Sequence, residues 1–560
     1  MNLLRDPLFP GILESGKVVK CTLASLLAGN ARPYIPDAFL DENFVVFLSA
    51  VIQCVLAPQD VDDWLRLYES TPDEAEIQSL LDRIADAFDI TEFMQIARPV
   101  AGDNPEESPL GDLELSGPGQ QGRKDNAVLL EDKGSETYCL LPSVMALKIF
   151  AYMSNVSAPG RGDSATVRGS GGPATFMVKR RGSLWKTVML NVLTLDEIGW
   201  TSLPGAEDMP WVAIRAFQER DDRLLESGIK PARQALTVSD FHQCAALFPS
   251  SVAIRMVLRP GDGRECHLTG LKEAVMATAF IKQSNSGMKY DKGWPHPYSP
   301  VSISGKNLRY KNIGEFSTRG EVFPWSGMGT WWRAFRVSPK PASAKKGEKD
   351  DKAVVTTVRP PDNLRAFEER SQDLTREEKG LIYVTLSGPE IVNNSKMASV
   401  TVAHSPLLNI DSRLERFVSR ELERYTAGTE LAYLKTCESL GACLKRLMAK
   451  NAMDSSRAAL GVHIHEMNHE MLGYIHKSID IMNTHDRNDL DAELEKLRLK
   501  FHQYLDRHCT QMFDRHSDAV LFSPAGDVVK GNRKQLRRFL THEKGLPYLL
   551  AVSLPKGLTS

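Results

Sequence analysis

The spacing of hydrophobic and polar positions changes near residue 410. Before that point, helix-like and strand-like patterns are mixed. NFVVFLSAVIQCVLA, 43–57, is apolar on every side and predicts a buried helix. KVVKCTLASLL, 17–27, reads as a strand running into a helix. Residues 60–89 predict amphipathic helices, with Thr71 as the N-cap of TPDEAEIQSLLDRIADAF and an acidic first turn. SVMALKIFAYM, 143–153, again predicts helix. After a Gly-rich stretch at 158–177, strand-like segments continue to about 405, with β-branched runs such as 354–358 and 381–386. Residues 99–126, rich in Gly, Pro and Asp, and 338–352, SPKPASAKKGEKDDK, predict loops.

After 410 the period is helical almost throughout. DSRLERFVSRELERYTAGTELAYLKTCESLGACLKRLMAK is followed by helical patterns at 455–482, 489–515 and 533–543, with almost no proline between 407 and 522. Four long helical segments with short connections predict a bundle. The fold class read from the pattern is α+β: a large mixed N-terminal domain, 1–405, then a C-terminal four-helix bundle, 406–560.

Composition narrows the classes of function. The chain has 560 residues, 42% hydrophobic and 25% charged, as in ordinary soluble proteins. A net charge of −2 excludes a polycation, so nucleic-acid binding would have to come from local patches. The opening MNLLRDPLFPGILESG lacks an apolar core of signal-peptide length, and no apolar run reaches the ~18 residues that span a bilayer. The cysteines at 21, 54, 139, 244, 266, 437, 443 and 509 form no CxxC. The simplest reading is a reduced cytoplasmic protein with buried thiols, no disulfide framework and no zinc ribbon.

One stretch matches a catalytic signature. HIHEMNHE, 463–470, contains HExxH as His465, Glu466 and His469. In zinc hydrolases the two histidines bind the metal and the glutamate activates its water. Leu460, Ile464, Met467, Met471 and Ile475 mark the apolar stripe of the same helix. Measured from Ile464, His465 falls at about 100° and His469 at about 140°, so they flank the buried face without lining it. The third ligand of the extended pattern is out of register: His476 is one place late, about 10 Å along the axis from His469. Glu493 and Glu495 have no specific support as substitutes. We read His463, His465, His469 and His476 as a polar flank of one bundle helix, facing solvent or a partner, with Asp454 a candidate N-cap.

Other features are weaker alone. GRGDS, 160–164, resembles an integrin-binding tripeptide, but without a secretory signal it has no partner. Gly160, Gly162, Gly169, Gly171 and Gly172 would let backbone approach a partner closely or take positive φ, as a structural turn or as a binding loop. The stretch lacks GxxxxGK[ST] and a GxGxxG between strand and helix, which disfavours a nucleotide pocket. Basic runs occur at 178–186 and 305–312, and in the tail with Lys530, Arg533, Lys534, Arg537 and Arg538. Each reads as a solvated face unless several converge on one surface. GWPHPYSP, 293–300, reads as a rigid packed corner around His296.

Taken in order, several segments resemble one family. They are MNLL with GKVVKCTLASLL, FMQ at 93–95, the Gly-rich stretch running into LWKTVMLNVLTL (184–195), MPWVAI (209–214) and GWPHPYSP. Their order and rough spacing are similar to the CasA family, the large subunit of the type I-E CRISPR Cascade complex. The resemblance spans most of the first 400 residues, and a C-terminal helical bundle of this length is also what that family has. It implies a non-enzymatic subunit with no cofactor and no catalytic residue. Its partners would be the other Cascade subunits, crRNA, double-stranded target DNA with its displaced strand, and the helicase–nuclease that degrades the target. Guide pairing reads the long sequence, so such a subunit reads only a short protospacer-adjacent motif and DNA shape.

The resemblance also implies where motif reading falls. A glycine loop, a lysine finger and a wedge act mainly in the minor groove, whose degenerate code suits tolerance of several motifs. APGRG places Gly160, Arg161 and Gly162 in the loop. FIK, 280–282, matches the start of the finger strand, but the critical lysine falls where this chain has Ser284. Lys282 or Lys289 must then substitute. NNS within IVNNSKMASV gives Asn393, Asn394 and Ser395, with Lys396, as the wedge, although a glutamine tip is not matched. DNAVLL, 125–130, matches the segment docking near the crRNA 5′ handle, giving Leu129 and Leu130, with Leu129 at an aromatic's place. Some relatives have clustered cysteines before the finger; only Cys266 occurs here. A zinc-dependent hydrolase and a protein-only scaffold are the competing readings.

Overall fold

The computed structural model describes residues 1–95, 107–113, 138–155, 168, 172–229, 241–250, 253–283, 294, 296–304, 307–310, 312, 356–392, 396–406, 415–445, 456, 460, 463–484, 487–521 and 526–550. These form two compact units, one holding the described elements up to Pro406 and the other those from Glu415 onward.

The first unit opens with β1 (Phe9–Ile12), β2 (Val18–Cys21), α1 (Leu23–Leu27) and β3 (Arg32–Pro33), the strands forming a small antiparallel sheet. Thr22 caps α1 by accepting from the Ser25 N–H at 3.0 Å. The next helix, α2 (Ala38–Val55), is apolar on all sides and lies inside the unit. By length and composition alone it could cross a membrane, yet 89% of it is buried in the protein. Phe44 and Phe47 on α2 meet Phe9, Phe93, Phe150 and Phe248 with centroids 5.5–6.5 Å apart, in stacked, tilted and edge-on pairs.

α3 (Val61–Glu69) and α4 (Glu74–Leu81) follow. The N-cap of α4 is Asp73, not Thr71: Asp73 and Glu76 form a reciprocal capping box, and Thr71 lies two residues too early to reach the first free N–H groups. A short β4 (Glu107–Pro109) and α5 (Pro142–Asn155) come next, α5 buried along its whole length. Beyond β5 (Thr175–Arg180), the region expected to be strand-like up to 405 also contains α6 (Leu184–Met189), α7 (Leu195–Ile198), α8 (Pro210–Glu226), α9 (Asp362–Arg370) and α10 (Arg376–Leu381). Of these, α6 and α9 pack on β5, and three buried indoles donate to main-chain carbonyls. Trp64 donates to Met189 O at 2.8 Å, Trp185 to Leu67 O at 2.9 Å and Trp211 to Ala87 O at 2.6 Å.

The remaining strands are β6 (Ala253–Pro260), β7 (Val275–Gln283), β8 (Val301–Ser304), β9 (Asn307–Tyr310), β10 (Thr356–Arg359), β11 (Ile382–Val392) and β12 (Lys396–Pro406). They form antiparallel three-stranded sheets ordered β4-β7-β6, β10-β8-β9 and β12-β11-β5. All eight cysteines are buried free thiols, as the absence of spacing motifs suggested.

The second unit is the helical bundle: α11 (Glu415–Leu444), α12 (Ile464–Thr484), α13 (Arg487–Leu521), α14 (Gly526–Thr541) and the short α15 (Leu546–Leu550). α11 packs against each of the others. Tyr425, Tyr433 and Leu440 of α11 are buried, as are Met467, Met471 and Ile475 of α12, Phe501, Leu505 and Phe513 of α13, and Leu536 and Leu540 of α14. The apolar stripe at three- and four-residue spacing is thus the core face. Glu421 is buried but fully engaged, with Arg498 Nε at 2.8 Å and Arg424 also bound.

Candidate nucleic-acid interface

The wedge candidates sit on a long hairpin. β11 and β12 each run eleven residues and pair from Tyr383–Pro406 to Val392–Lys396, leaving Asn393, Asn394 and Ser395 as the connection. These three lie outside the described residues; Lys396 is described as the first residue of β12, in backbone only. β5 pairs only with Ile382–Ser387. The last five residues of β11, about 17 Å of strand, therefore pair with β12 alone among the described strands. A register shift at Glu390/Ile391 adds local twist near the tip.

The hairpin base is anchored by a buried charge network. Thr385 Oγ1 donates to Glu42 Oε2 at 2.8 Å, and Lys179 Nζ on the neighbouring strand binds Glu42 Oε1 at 2.6 Å, both charged side chains below 8% exposure. Just outside, Glu378 of α10 accepts from Tyr68 Oη at 2.6 Å and Arg180 Nε at 2.9 Å, with Lys186 Nζ at 3.3 Å. Arg180, helped by Tyr68 and Lys186, holds the Glu378 carboxyl down at about 2. The basic run at 178–186 is therefore mainly structural. Lys179, Arg180 and Lys186 neutralise buried or half-buried carboxylates, and Arg181 lies over the Tyr383 ring at 5.9 Å.

The glycine-loop residues Gly160, Arg161 and Gly162 lie outside the described residues, but both ends of their segment are described. One end is α5, where Asn155 Nδ2 donates to Asn43 Oδ1 at 2.8 Å. The other is Arg168, a fully enclosed guanidinium. Its Nη1 donates to Thr175 Oγ1 at 2.6 Å and Ser299 Oγ at 2.9 Å, while Nη2 donates to Ser154 O and to Asn155 Oδ1 at 3.3 Å. Arg168 thus ties the end of α5, the start of β5 and the Pro-rich turn together at the loop's root. Burial pulls Arg168 down to about 9. Beside it, burial first and then the Arg168 charge push His296 well below the usual imidazole range, so His296 is a neutral packed residue. That is the rigid corner read from GWPHPYSP.

Lys282 reaches the same root. It stands near the end of β7, half-buried, with Nζ 3.3 Å from Tyr152 Oη and 5.7 Å from that ring's centroid. Tyr152 is in the last turn of α5, six residues before the glycine-rich stretch begins at 158. A bridge between Leu140 and Ala277 fixes β7 against the start of the α5 segment. The structure therefore brings one lysine candidate to the base of the glycine loop. Lys289, Ser284, Leu129 and Leu130 lie outside the described residues.

Tyr152, Arg168 and Glu42 were missed in the sequence. Arg168 is hidden among glycines that read as a backbone device, and the partners of Tyr152 and Glu42 are distant in the chain.

In the bundle, Lys530, Arg533, Lys534, Arg537 and Arg538 are all exposed on α14. Their spacing of three and four places them on one face, opposite buried Val529, Leu536 and Leu540. Asp514 binds Arg533 at 2.5 Å and Asp527 lies 3.6 Å from Lys530. The tail alone therefore presents one exposed basic helix face.

The HExxH stretch starts α12. Its buried stripe of Leu460, Met467, Met471 and Ile475 is as read, but side chains of His465, His469 and His476 are outside the described set. His463 is half-buried between His508 and His516 of α13.

A mixed α+β unit with a long two-stranded hairpin, followed by a helical bundle, defines the class of protein. The family model for CRISPR-associated protein Cse1 matches residues 2–541. Solved structures agree in fold. Cse1 of Thermobifida fusca is 14% identical, with a TM-score of 0.58 over 99% of each chain. Cse1 of Acidimicrobium ferrooxidans gives 14% and 0.57 over 98% of each. CasA (Cse1) of Thermus thermophilus gives 14% and 0.56, covering 98% of this chain and 99% of that one. A sequence comparison with curated proteins found no match. The chain belongs to the CRISPR-associated Cse1 family, the CasA large subunits of Cascade.

Proposed function

We propose that this chain is the DNA-reading large subunit of a type I-E Cascade. It recognises the protospacer-adjacent motif on duplex DNA, starts strand separation and supports the displaced strand. It docks at the crRNA 5′ handle beside the other Cascade subunits, through the segment holding Leu129 and Leu130, and offers a landing surface to the helicase–nuclease. It is not an enzyme.

The observation that carries the reading is the β11–β12 hairpin. A two-stranded arm about 17 Å long, held at its base by a buried Glu42–Lys179 pair, is a stiff support for a tip. A tip pressed into a duplex end unstacks a base step at a cost of a few kcal/mol. Asn393, Asn394, Ser395 and Lys396 are the tip residues. The glycine loop, with Gly160, Arg161 and Gly162, and Lys282 share one root, so loop backbone and a lysine would reach a minor groove together; Lys289 is the alternative lysine. The basic face of α14 suits a phosphate backbone such as the displaced strand's.

The test uses the complex reconstituted with its crRNA. Lys282→Ala combined with Lys289→Ala should weaken binding to motif-bearing duplex about tenfold or more. Unchanged binding removes both lysines from the reading site. Purified chain should show no hydrolase activity, and Glu466→Gln should change none.

A further inference from the structure

The HExxH glutamate has metal-binding neighbours other than those its motif names. His463 and Glu466 stand three residues apart at the start of α12, so they share a helix face. That face meets α13, where His508 is buried. One ligand atom each from His463, Glu466 and His508 lies within 4.8 Å of the others. Glu466 Oε1 is 3.9 Å from His508 Nδ1, and His516 Nε2 is 3.2 Å from His463 Nε2. Around a tetrahedral zinc ion, with bonds of about 2.0–2.1 Å, neighbouring donors stand about 3.3 Å apart. The His463–His516 spacing already meets this, and Glu466 Oε1 has to close on His508 Nδ1 from 3.9 Å.

The His508 ring carries a second observation. His508 is only 9% exposed, and its Nε2 is buried without a hydrogen-bond partner. A buried imidazole in that condition requires explanation. Stacking on Tyr504, 5.3 Å between centroids, fixes the ring but satisfies neither nitrogen. A neutral imidazole offers one ring-nitrogen lone pair to a metal. Glu466 and Glu470 supply negative charge nearby, and Arg515 opposes it.

We propose that His463, Glu466 and His508 ligate a divalent transition-metal ion of the zinc class, with His516 completing the shell. Imidazole nitrogens with one carboxylate suit such ions better than magnesium or calcium. Four protein ligands leave no open position, so the ion staples α12 to α13 and performs no hydrolysis. Residues 465 and 469 come about 200° and 240° round the helix from 463, on another face, and take no part.

The test measures zinc on the full-length chain, stripped with chelator and re-dialysed against zinc. Metal analysis should find one ion per chain, and the melting temperature should rise with zinc concentration. His463→Gln and His516→Gln, at half-buried positions, and Glu466→Gln, at an exposed one, should keep the fold and weaken zinc binding at least tenfold. His465→Ala with His469→Ala should leave it unchanged. No retained zinc and no thermal shift overturns the proposal. So does zinc binding that survives His463→Gln but is lost in the His465→Ala, His469→Ala pair.

Discussion

At the scale of single residues, the site rests on polar groups buried for a reason. Arg168 donates to two hydroxyls, a carbonyl and an amide oxygen inside the protein. Arg168→Met would leave those acceptors buried without a donor, so stability should fall by about 2–4 kcal/mol. Chemical denaturation measures this; a change below about 0.5 kcal/mol would remove the clamp. Glu378 gives a pH signature. Its folded value of about 2 lies below the ordinary 4.5, so its contribution is present above 4.5 and is lost as pH falls toward 2. Glu378→Gln should be less stable at pH 6 yet lose less stability than the parent between pH 5 and 3. Parallel curves in that window would contradict the network. Neither residue was legible in sequence, because Arg168 and Glu378 meet partners up to 310 positions away. Lys282 is the lysine named through the family resemblance, and the structure gives it Tyr152 as a neighbour.

At the scale of elements, local signals worked where the physics is local. The α2 apolar run and the stripe of α12 were read from period alone, and the capped start of α4 was read two residues early, at Thr71 in place of Asp73. Between β5 and β11, α6, α7 and α10 were not read this way, since four to six residues are too few to establish a period, and the longer α8 and α9 were also read as part of a strand-like region. Two glycines make opposite predictions. A Cβ on Gly473 in α12 would meet nothing within 4 Å, so Gly473→Ala should stabilise the bundle by about 0.5–1 kcal/mol. A Cβ on Gly261, between β6 and β7, would lie 2.1 Å from the Glu273 carbonyl oxygen, so Gly261→Ala should destabilise the first unit. Thermal melts with both signs reversed would contradict the backbone described for these elements. Asn394→Ala at the hairpin connection should leave the melting temperature unchanged while slowing strand opening.

At the scale of the molecule, one chain carries two units with different physics. The first has a core of stacked aromatics around α2 and supports the hairpin and the loop root. The second is a bundle presenting a basic helix face, although the chain as a whole is nearly neutral. Salt should therefore weaken DNA binding through local cations and not through net charge. The most direct measurement is R-loop formation on a matched protospacer, read as fluorescence of a base analogue in the displaced strand, with the complex reconstituted with and without this chain. The account predicts opening that requires both this chain and the adjacent motif, reduced at least tenfold by Lys282→Ala with Lys289→Ala. Equal opening without the chain, or on duplex lacking the motif, would contradict it.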